Sequence, residues 1–434
     1  MKSSATGGAG PPETFGEPSS AIGRAAPALT STSQVRLYKR TRILHALRRN
    51  PGLSKIGLAR ELDISPTTVG SLVEGLVRDG IVVATGLEPS MGGRPPERLS
   101  LDPEGPLALG VDLGETAARF GLLDLAGRLV ATETLPFRRR PQEGAVDTGI
   151  VSDGITALLA ETGLSDRIAG IGVAVPGLVD REAGAVRYAA NLGWQDVALA
   201  GQLALEFEQP VLVDRNTNAA LLAEEWWGTA AEEDPAIFVT LGSGIGAAIR
   251  VDGDFVRGAS GAPGEFGHIP IVTDGPECRC GQRGCLEALA SSAAVQRSYQ
   301  RLANAAPDGG ISAVVQAARE GDPHALHVLD EAARHLGIGI ATIVNLFNPS
   351  VVILGGELME AADLILARID AQVRARSLKV SSAALRLVSS SFHGDAALIG
   401  AATIAFDALF NHAFRYRAGA AAAGARPGRQ KAKA

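Results

Sequence analysis

Cysteine is nearly missing from this 434-residue chain: there are three, all between residues 278 and 285. A disulfide framework spreads its cysteines and usually pairs them in even number, so this cluster points to metal instead. Aromatic residues make up only 4% of the chain, which leaves the core to Leu, Val, Ile and Ala. No apolar run approaches the roughly 18 residues of a membrane helix. Lys2 is followed by no apolar stretch of the kind a signal peptide carries. A cytoplasmic chain with no membrane partner is therefore expected.

Glycine, by contrast, is plentiful at 52 residues, often clustered, which suits tight turns and loops whose backbone lines a ligand. The length exceeds what one hydrophobic core normally serves, so two or more domains are expected. The net charge of −6 conceals a division along the chain. Residues 36–100 carry 11 Lys and Arg against 6 Asp and Glu, and residues 415–434 carry 6 basic residues and no acid. Residues 101–414 carry 22 basic against 39 acidic residues. A basic module on an acidic body suits a nucleic-acid reader attached to a sensor.

Four segments follow. Residues 1–35, rich in Gly, Ser, Thr, Pro and Ala, have the composition of a disordered tail. Residues 36–102 read as a small helical module with a hairpin. Residues 103–415 alternate strand-like and helix-like stretches, which predicts α/β architecture. Two Gly-rich turns, at 110–116 and 241–247, hint at a duplicated lobe. Residues 416–434 read as a flexible basic tail.

In the small module, Val35, Leu37, Ile43, Leu44 and Leu47 mark one amphipathic helix, stopped at Asn50-Pro51-Gly52. Ser54 caps a second, carrying Ile56, Leu58, Ala59 and Leu62. Ser65-Pro66 opens a third, which buries Val69, Leu72, Val73 and Leu76. Strands at 81–83 and 98–101 flank a turn at 92–96 and form a wing. This pattern predicts a winged helix-turn-helix that binds a double-stranded DNA operator. Ser65, Thr67, Thr68 and Ser71 offer hydroxyls on the exposed face of the third helix. Arg94 in the wing can enter a minor groove, and Lys55 and Arg60, with Arg78 and Arg98, are candidate phosphate contacts. No Lys or Arg lies between Ser65 and Val77, and Gly70 interrupts the third helix at a cost of about 1 kcal/mol relative to Ala.

The cysteine cluster has a partner. Gly264-Glu265-Phe266-Gly267-His268 is followed ten residues later by Cys278-x-Cys280-Gly-x-x-Gly-Cys285-Leu286-Glu287. One imidazole and three thiolates complete a Cys₃His set for a closed, structural Zn²⁺ site. Gly281 and Gly284 let the backbone fold tightly enough to aim three sulfurs at one ion.

These residues resemble the ROK family (repressors, open reading frames, sugar kinases), and the resemblance covers about residues 36–410. Supporting motifs are Asp112-Leu-Gly-Glu-Thr116, Pro176-Gly177, Asn191-Leu-Gly-Trp194, Leu241-Gly-Ser-Gly-Ile-Gly246, Asn348-Pro349 with Gly355-Gly356, and Gly394-Asp395 leading to Gly400-Ala-Ala402. The resemblance implies a two-lobed, actin-like fold of the ribonuclease-H type, with a sugar in the interlobe cleft, and an assembly of two or four copies. Family members with an N-terminal winged helix are usually repressors of sugar-utilisation genes. It further implies that Asn191, Glu265, His268 and Glu287 bind sugar hydroxyls, with His268 holding zinc through one ring nitrogen and sugar through the other. Paired carboxylates and amides suit vicinal hydroxyls.

The chain departs from the kinases of that family. Where they carry a catalytic Asp, this sequence has Asn216, and an amide cannot accept the proton of the attacking hydroxyl. The preceding asparagine position is Arg215, which alters the pocket and suits an anionic ligand such as a phosphosugar. Glu115 stands where ATP phosphates would pass, and Ala247 and Ala248 replace glycines expected to approach phosphate. Asp214 is the remaining candidate base. The reading that follows is a non-enzymatic regulator, a repressor controlled by a sugar or phosphosugar. The alternatives are a bifunctional ATP-dependent sugar kinase and a repressor that answers to a protein partner.

Overall fold

The computed structural model describes residues 31–87, 95–137, 146–259, 261–304 and 309–411. Both tails expected from composition lie almost wholly outside these residues, as does Arg94. The first helix, α1 (Thr32–Arg49), starts four residues before the expected boundary at 36. The cause is local: Ser31 Oγ accepts from the Gln34 N–H, and the Gln34 side chain returns a bond to Ser31 N–H, a reciprocal capping box.

The small module continues with β1 (Leu53–Ser54), α2 (Lys55–Leu62), α3 (Pro66–Arg78), β2 (Val82–Leu87) and β3 (Glu97–Leu101). Val69, Leu72, Val73 and Leu76 of α3 are buried, as their spacing requires. Ile56 is not: it is half exposed at the start of α2. β3 pairs with both β2 and β1, so the wing is a three-stranded sheet rather than a bare hairpin.

The larger domain holds two mixed sheets of the same design. The first contains β4 (Leu107–Leu113), β5 (Ala117–Leu123), β6 (Leu129–Pro136), β7 (Ile168–Val175) and β11 (Val211–Arg215), in the order β11-β7-β4-β5-β6. Its β4, β5 and β6 form an antiparallel meander, and β7 and β11 add in parallel. Between them lie α4 (Gly149–Thr162), a small antiparallel sheet of β8 (Leu178–Asp180), β9 (Ala185–Ala189) and β10 (Trp194–Val197), and α5 (Leu199–Phe207). After α6 (Asn216–Trp227) comes the second sheet: β12 (Ala236–Leu241), β13 (Ile245–Val251), β14 (Asp254–Phe255), β15 (Val351–Gly355) and β16 (Arg386–Ser389). Its order, β14-β13-β12-β15-β16, repeats the first: an antiparallel meander extended by two parallel strands. The duplication hinted at by the two Gly-rich turns is thus present in the topology.

Helices α7 (Leu286–Ala290), α8 (Ser292–Ala303), α9 (Gly310–Arg319), α10 (Pro323–Phe347), α11 (Ala362–Arg376) and α12 (Lys379–Ala383) belong to the second lobe. Many of their apolar faces share one buried cluster with β12, β13 and β15. The closing helix, α13 (Ala396–Phe410), crosses back to the first sheet. There its backbone touches its neighbours directly: a Cβ on Gly172 of β7 would stand 1.8 Å from the Ala401 carbonyl oxygen, and one on Gly400 1.8 Å from that of Ala219 in α6. No helix among the described residues is long and apolar enough to cross a membrane.

These contacts set an expectation for stability. Gly172→Ala should lower the thermal midpoint, at a cost of about 3 kcal/mol. Gly201→Ala, in α5 with nothing within 4 Å of its added methyl, should leave the midpoint unchanged or raise it slightly. Circular dichroism melting of the two variants provides the comparison.

Candidate functional site

On the DNA-facing module, Ser65, Thr67 and Ser71 are exposed on α3 and Thr68 is half-buried. Ser65 is already engaged: its Oγ caps the Thr68 N–H at 3.4 Å and lies 2.8 Å from Thr68 Oγ1. Gly70 and Gly75 have open space where a side chain would stand. The face is therefore low and hydroxyl-lined, which lets a nucleic-acid backbone approach closely. Lys55 pairs with Glu74 at 3.8 Å, and Arg60 is exposed.

In the second lobe, His268, Cys278, Cys280 and Cys285 come together, with all ligand atoms within 4.8 Å of one another. Cys280 Sγ and Cys285 Sγ are 3.7 Å apart, and Cys278 Sγ is 3.7 Å from His268 Nδ1. Metal–sulfur bonds of about 2.3 Å in a tetrahedron imply edges of roughly 3.8 Å, so the four groups fit a zinc ion. Gly281 and Gly284 both have positive φ, at 86° and 72°, and a Cβ on Gly284 would strike the Val272 carbonyl oxygen. With Nδ1 turned to the sulfurs, His268 Nε2 is left 3.8 Å from Glu265 Oε2.

A cavity of about 620 Å³ opens beside this cluster. It is lined by the four residues expected to bind sugar hydroxyls, Asn191, Glu265, His268 and Glu287, and by the two that depart from the kinases, Arg215 and Asn216. The turn after β9 supplies Asn191, the β11–α6 junction supplies Arg215 and Asn216, and the start of α7 supplies Glu287. Both glutamates are held by arginines. Arg215 Nη2 donates to Glu265 Oε1 at 2.8 Å, and Arg215 Nη1 donates to the Pro263 carbonyl. Arg279 Nε donates to Glu287 Oε1 at 2.8 Å, while Glu287 Oε2 accepts from Ile245 N–H at 3.0 Å. The arginine partner of Glu287 carries no local sequence signal, because it resides in the zinc loop and is defined only by the fold. Asp112, also on the cavity wall, was singled out only as part of a motif. Burial pushes its carboxyl up to about 6, against the pull of Arg119 and with a further push from Asp395.

Two expectations are corrected. Ala247 and Ala248 do not face a phosphate path: they are buried within β13, paired to β12, and the loop that reaches the cavity is Gly242-Ser243-Gly244. Asp214 does not serve the cavity either. It accepts from Arg215 N–H and Asn218 Nδ2, both at 2.8 Å, and faces a separate pocket beside Arg181 and Arg257. Glu115 does line the cavity.

A winged helix joined to a duplicated α/β fold, with carboxylate, amide and imidazole side chains on the wall of an interlobe cavity, defines a DNA-binding module on a sugar-kinase scaffold. The chain belongs to the ROK family, which it matches over residues 108–408, and residues 36–83 match a winged helix-turn-helix DNA-binding family. It is 30% identical over 370 residues to the xylose repressor of Caldicellulosiruptor bescii, covering 82% of this chain and 92% of that protein. Its fold is similar to that of a ROK family transcriptional regulator, a homologue of the Mlc protein of Escherichia coli, with a TM-score of 0.75, 27% identity, and 87% and 97% of the two chains covered. A ROK glucokinase from Streptomyces griseus, solved with glucose and AMPPNP, aligns with a TM-score of 0.61 and 32% identity, over 69% of this chain and 99% of the kinase.

The buried Asp112 sets a pH dependence. Its folded-state value lies above the ordinary 3.8, so holding it ionised costs stability. That cost is absent below about pH 4, grows as pH rises, and is complete above about pH 6. Asp112→Asn should therefore match the parent protein in acid and exceed it by about 3 kcal/mol at pH 7.5. Thermal melts across pH 4–8 read the difference.

Proposed function

We propose that this chain is a sugar-responsive transcriptional repressor whose kinase-like cavity binds its effector without transferring phosphate. The observation that carries the reading is Asn216. It stands in the first turn of α6, on the wall of the cavity, where the kinases of the family carry their acidic base. An amide there hydrogen-bonds a hydroxyl but cannot take its proton, and Asp214 faces another pocket. Asn191, Glu265, His268 and Glu287 offer donors and acceptors for sugar hydroxyls. His268, Cys278, Cys280 and Cys285 would hold a zinc ion, and with Nδ1 so engaged the His268 imidazole would keep Nε2 toward the ligand. The two cavity arginines are each committed to a glutamate, so a neutral sugar suits the site better than the phosphosugar that Arg215 suggested. Ser65, Thr67, Thr68, Ser71, Lys55, Arg60 and Arg94 are the proposed DNA contacts, and an assembly of two or four copies follows the family.

The test is fluorescence anisotropy of the purified protein on DNA from upstream of its own gene, at fixed salt. D-xylose, D-glucose and their phosphorylated forms are titrated in turn. One free sugar should weaken operator binding at least fivefold, with no sugar-dependent ADP release from ATP. Sugar-dependent turnover would establish a kinase. Tight DNA binding indifferent to every sugar would favour control by a protein partner.

Metal analysis gives an independent expectation. The protein should carry about one zinc per chain. Cys285→Ser should lose that zinc together with its sugar affinity, while DNA binding persists, because the cluster lies in the second lobe.

A further inference from the structure

Helices α6 and α13 share a layout. Asn216, Thr217 and Ala220 of α6 line the cavity, and so do Ala396 and Ala397 at the start of α13. At 12 and 15 residues, the two helices carry their opposite ends about 18 and 22 Å away. They are locked to each other by the Gly400–Ala219 backbone contact and by a 2.9 Å bond from Trp227 Nε1 to Thr403 Oγ1.

Their far ends meet α1. The last carbonyls of any helix lack partners within it. Here α1 supplies them. Arg48 Nη1 donates to the carbonyls of Glu225 and Trp226, at the end of α6. Thr41 Oγ1 donates to the carbonyl of Phe410, the last residue of α13, at 2.7 Å. Between them the His45 ring stands edge-on to Trp226 at 5.5 Å and to Phe410 at 5.6 Å. The Arg48 guanidinium also lies over the Trp226 ring, 4.7 Å from its centre. Thr41, His45 and Arg48 follow one another at four and three residues, so they occupy one face of α1. A cation at this position also complements the dipole of α6. Burial lowers His45 to about 4 and Arg48 to about 10, so the imidazole is neutral and the guanidinium charged at neutral pH.

We propose that α1 is the output lever of the cavity: its Thr41–His45–Arg48 face caps the far ends of the two helices whose near ends touch the ligand. Movement of α6 and α13 on ligand binding then makes or breaks the caps and reorients the DNA-facing module. The inference rests on the sensor–repressor reading above. It adds the route of coupling and names Arg48 and Thr41, neither of which lines the cavity, as positioning residues.

The experiment uses the full-length protein with D-xylose and D-glucose as probes. Operator affinity is measured by anisotropy with and without sugar, and sugar affinity by calorimetry with and without operator. In the parent protein the two effects should be equal, because linkage is reciprocal. Arg48→Lys keeps a charge but loses the planar guanidinium that reaches the Glu225 and Trp226 carbonyls while lying over the Trp226 ring, and Thr41→Val removes the other cap without changing shape. Both should keep sugar affinity and sugar-free operator affinity within about twofold, while the sugar-dependent shift falls at least fivefold. Arg48→Ala serves as the stronger version where it folds, as judged by its melting midpoint. A parent protein that responds, with both conservative variants responding equally, would overturn the lever and leave the sensor reading standing. A parent protein that responds to neither sugar would overturn both.

Discussion

Helix α13 lies against β7 and α6 without the usual layer of side chains between them. Gly172 and Gly400 bring main chain onto main chain, and neither position has room for a single carbon more. Packing this close makes α13, α6 and the first sheet one solid body. Much else is referred to that body. The β11–α6 junction presents Arg215 and Asn216 to the cavity, the start of α13 lines it as well, and α1 is seated on the far ends of both helices. The first lobe therefore depends on a helix that arrives only at the end of the described chain. Residues 32–49 and 396–410 meet although nearly the whole sequence separates them.

The cavity is organised by a second constraint, the burial of charge. Glu287 is only 6% exposed and Arg215 is equally enclosed. An isolated ion at such depth is expensive, whereas a paired, hydrogen-bonded one is tolerated. Each glutamate accordingly meets a guanidinium and retains acceptor capacity for a ligand. The pairing also explains how an arginine can replace an uncharged residue at position 215 without unbalancing the pocket: its charge is absorbed by Glu265 and by a carbonyl.

Much of this was legible in the sequence, for definable reasons. The inward face of α3 was legible because Val69, Leu72, Val73 and Leu76 recur at helical spacing. The zinc cluster was legible because its ligands are close in sequence and chemically rare. Ser54 and Ser65 were legible as caps because their effect spans three residues. What escaped depends on distance. The two-residue β1 has no periodicity to detect and exists because β3 offers an edge. Ile56 follows the helical apolar pattern, yet it stands on the outer side of α2 while Leu58, Ala59 and Leu62 turn inward. Ala247 and Ala248 were assigned to a loop because the glycines before them blur where β13 begins. Thr41, His45 and Arg48 sit on what reads as an ordinary polar helix face. Their partners stand up to 369 positions away, and no local pattern encodes that separation.

The seating of α1 bears on where this protein divides into interchangeable parts. By its connectivity α1 belongs to the DNA-facing module, but its capping face serves the sensor. A chimera joined near residue 50 would leave α1 with its own α6 and α13 and exchange only α2, α3 and the wing, giving a new operator preference under the same control. One joined near residue 103 would import a foreign first helix with no obligation to cap those ends, and a fusion that folds and binds both ligands would still be deaf. The natural seam between reader and sensor lies inside the winged helix, one helix earlier than the domain boundary suggests.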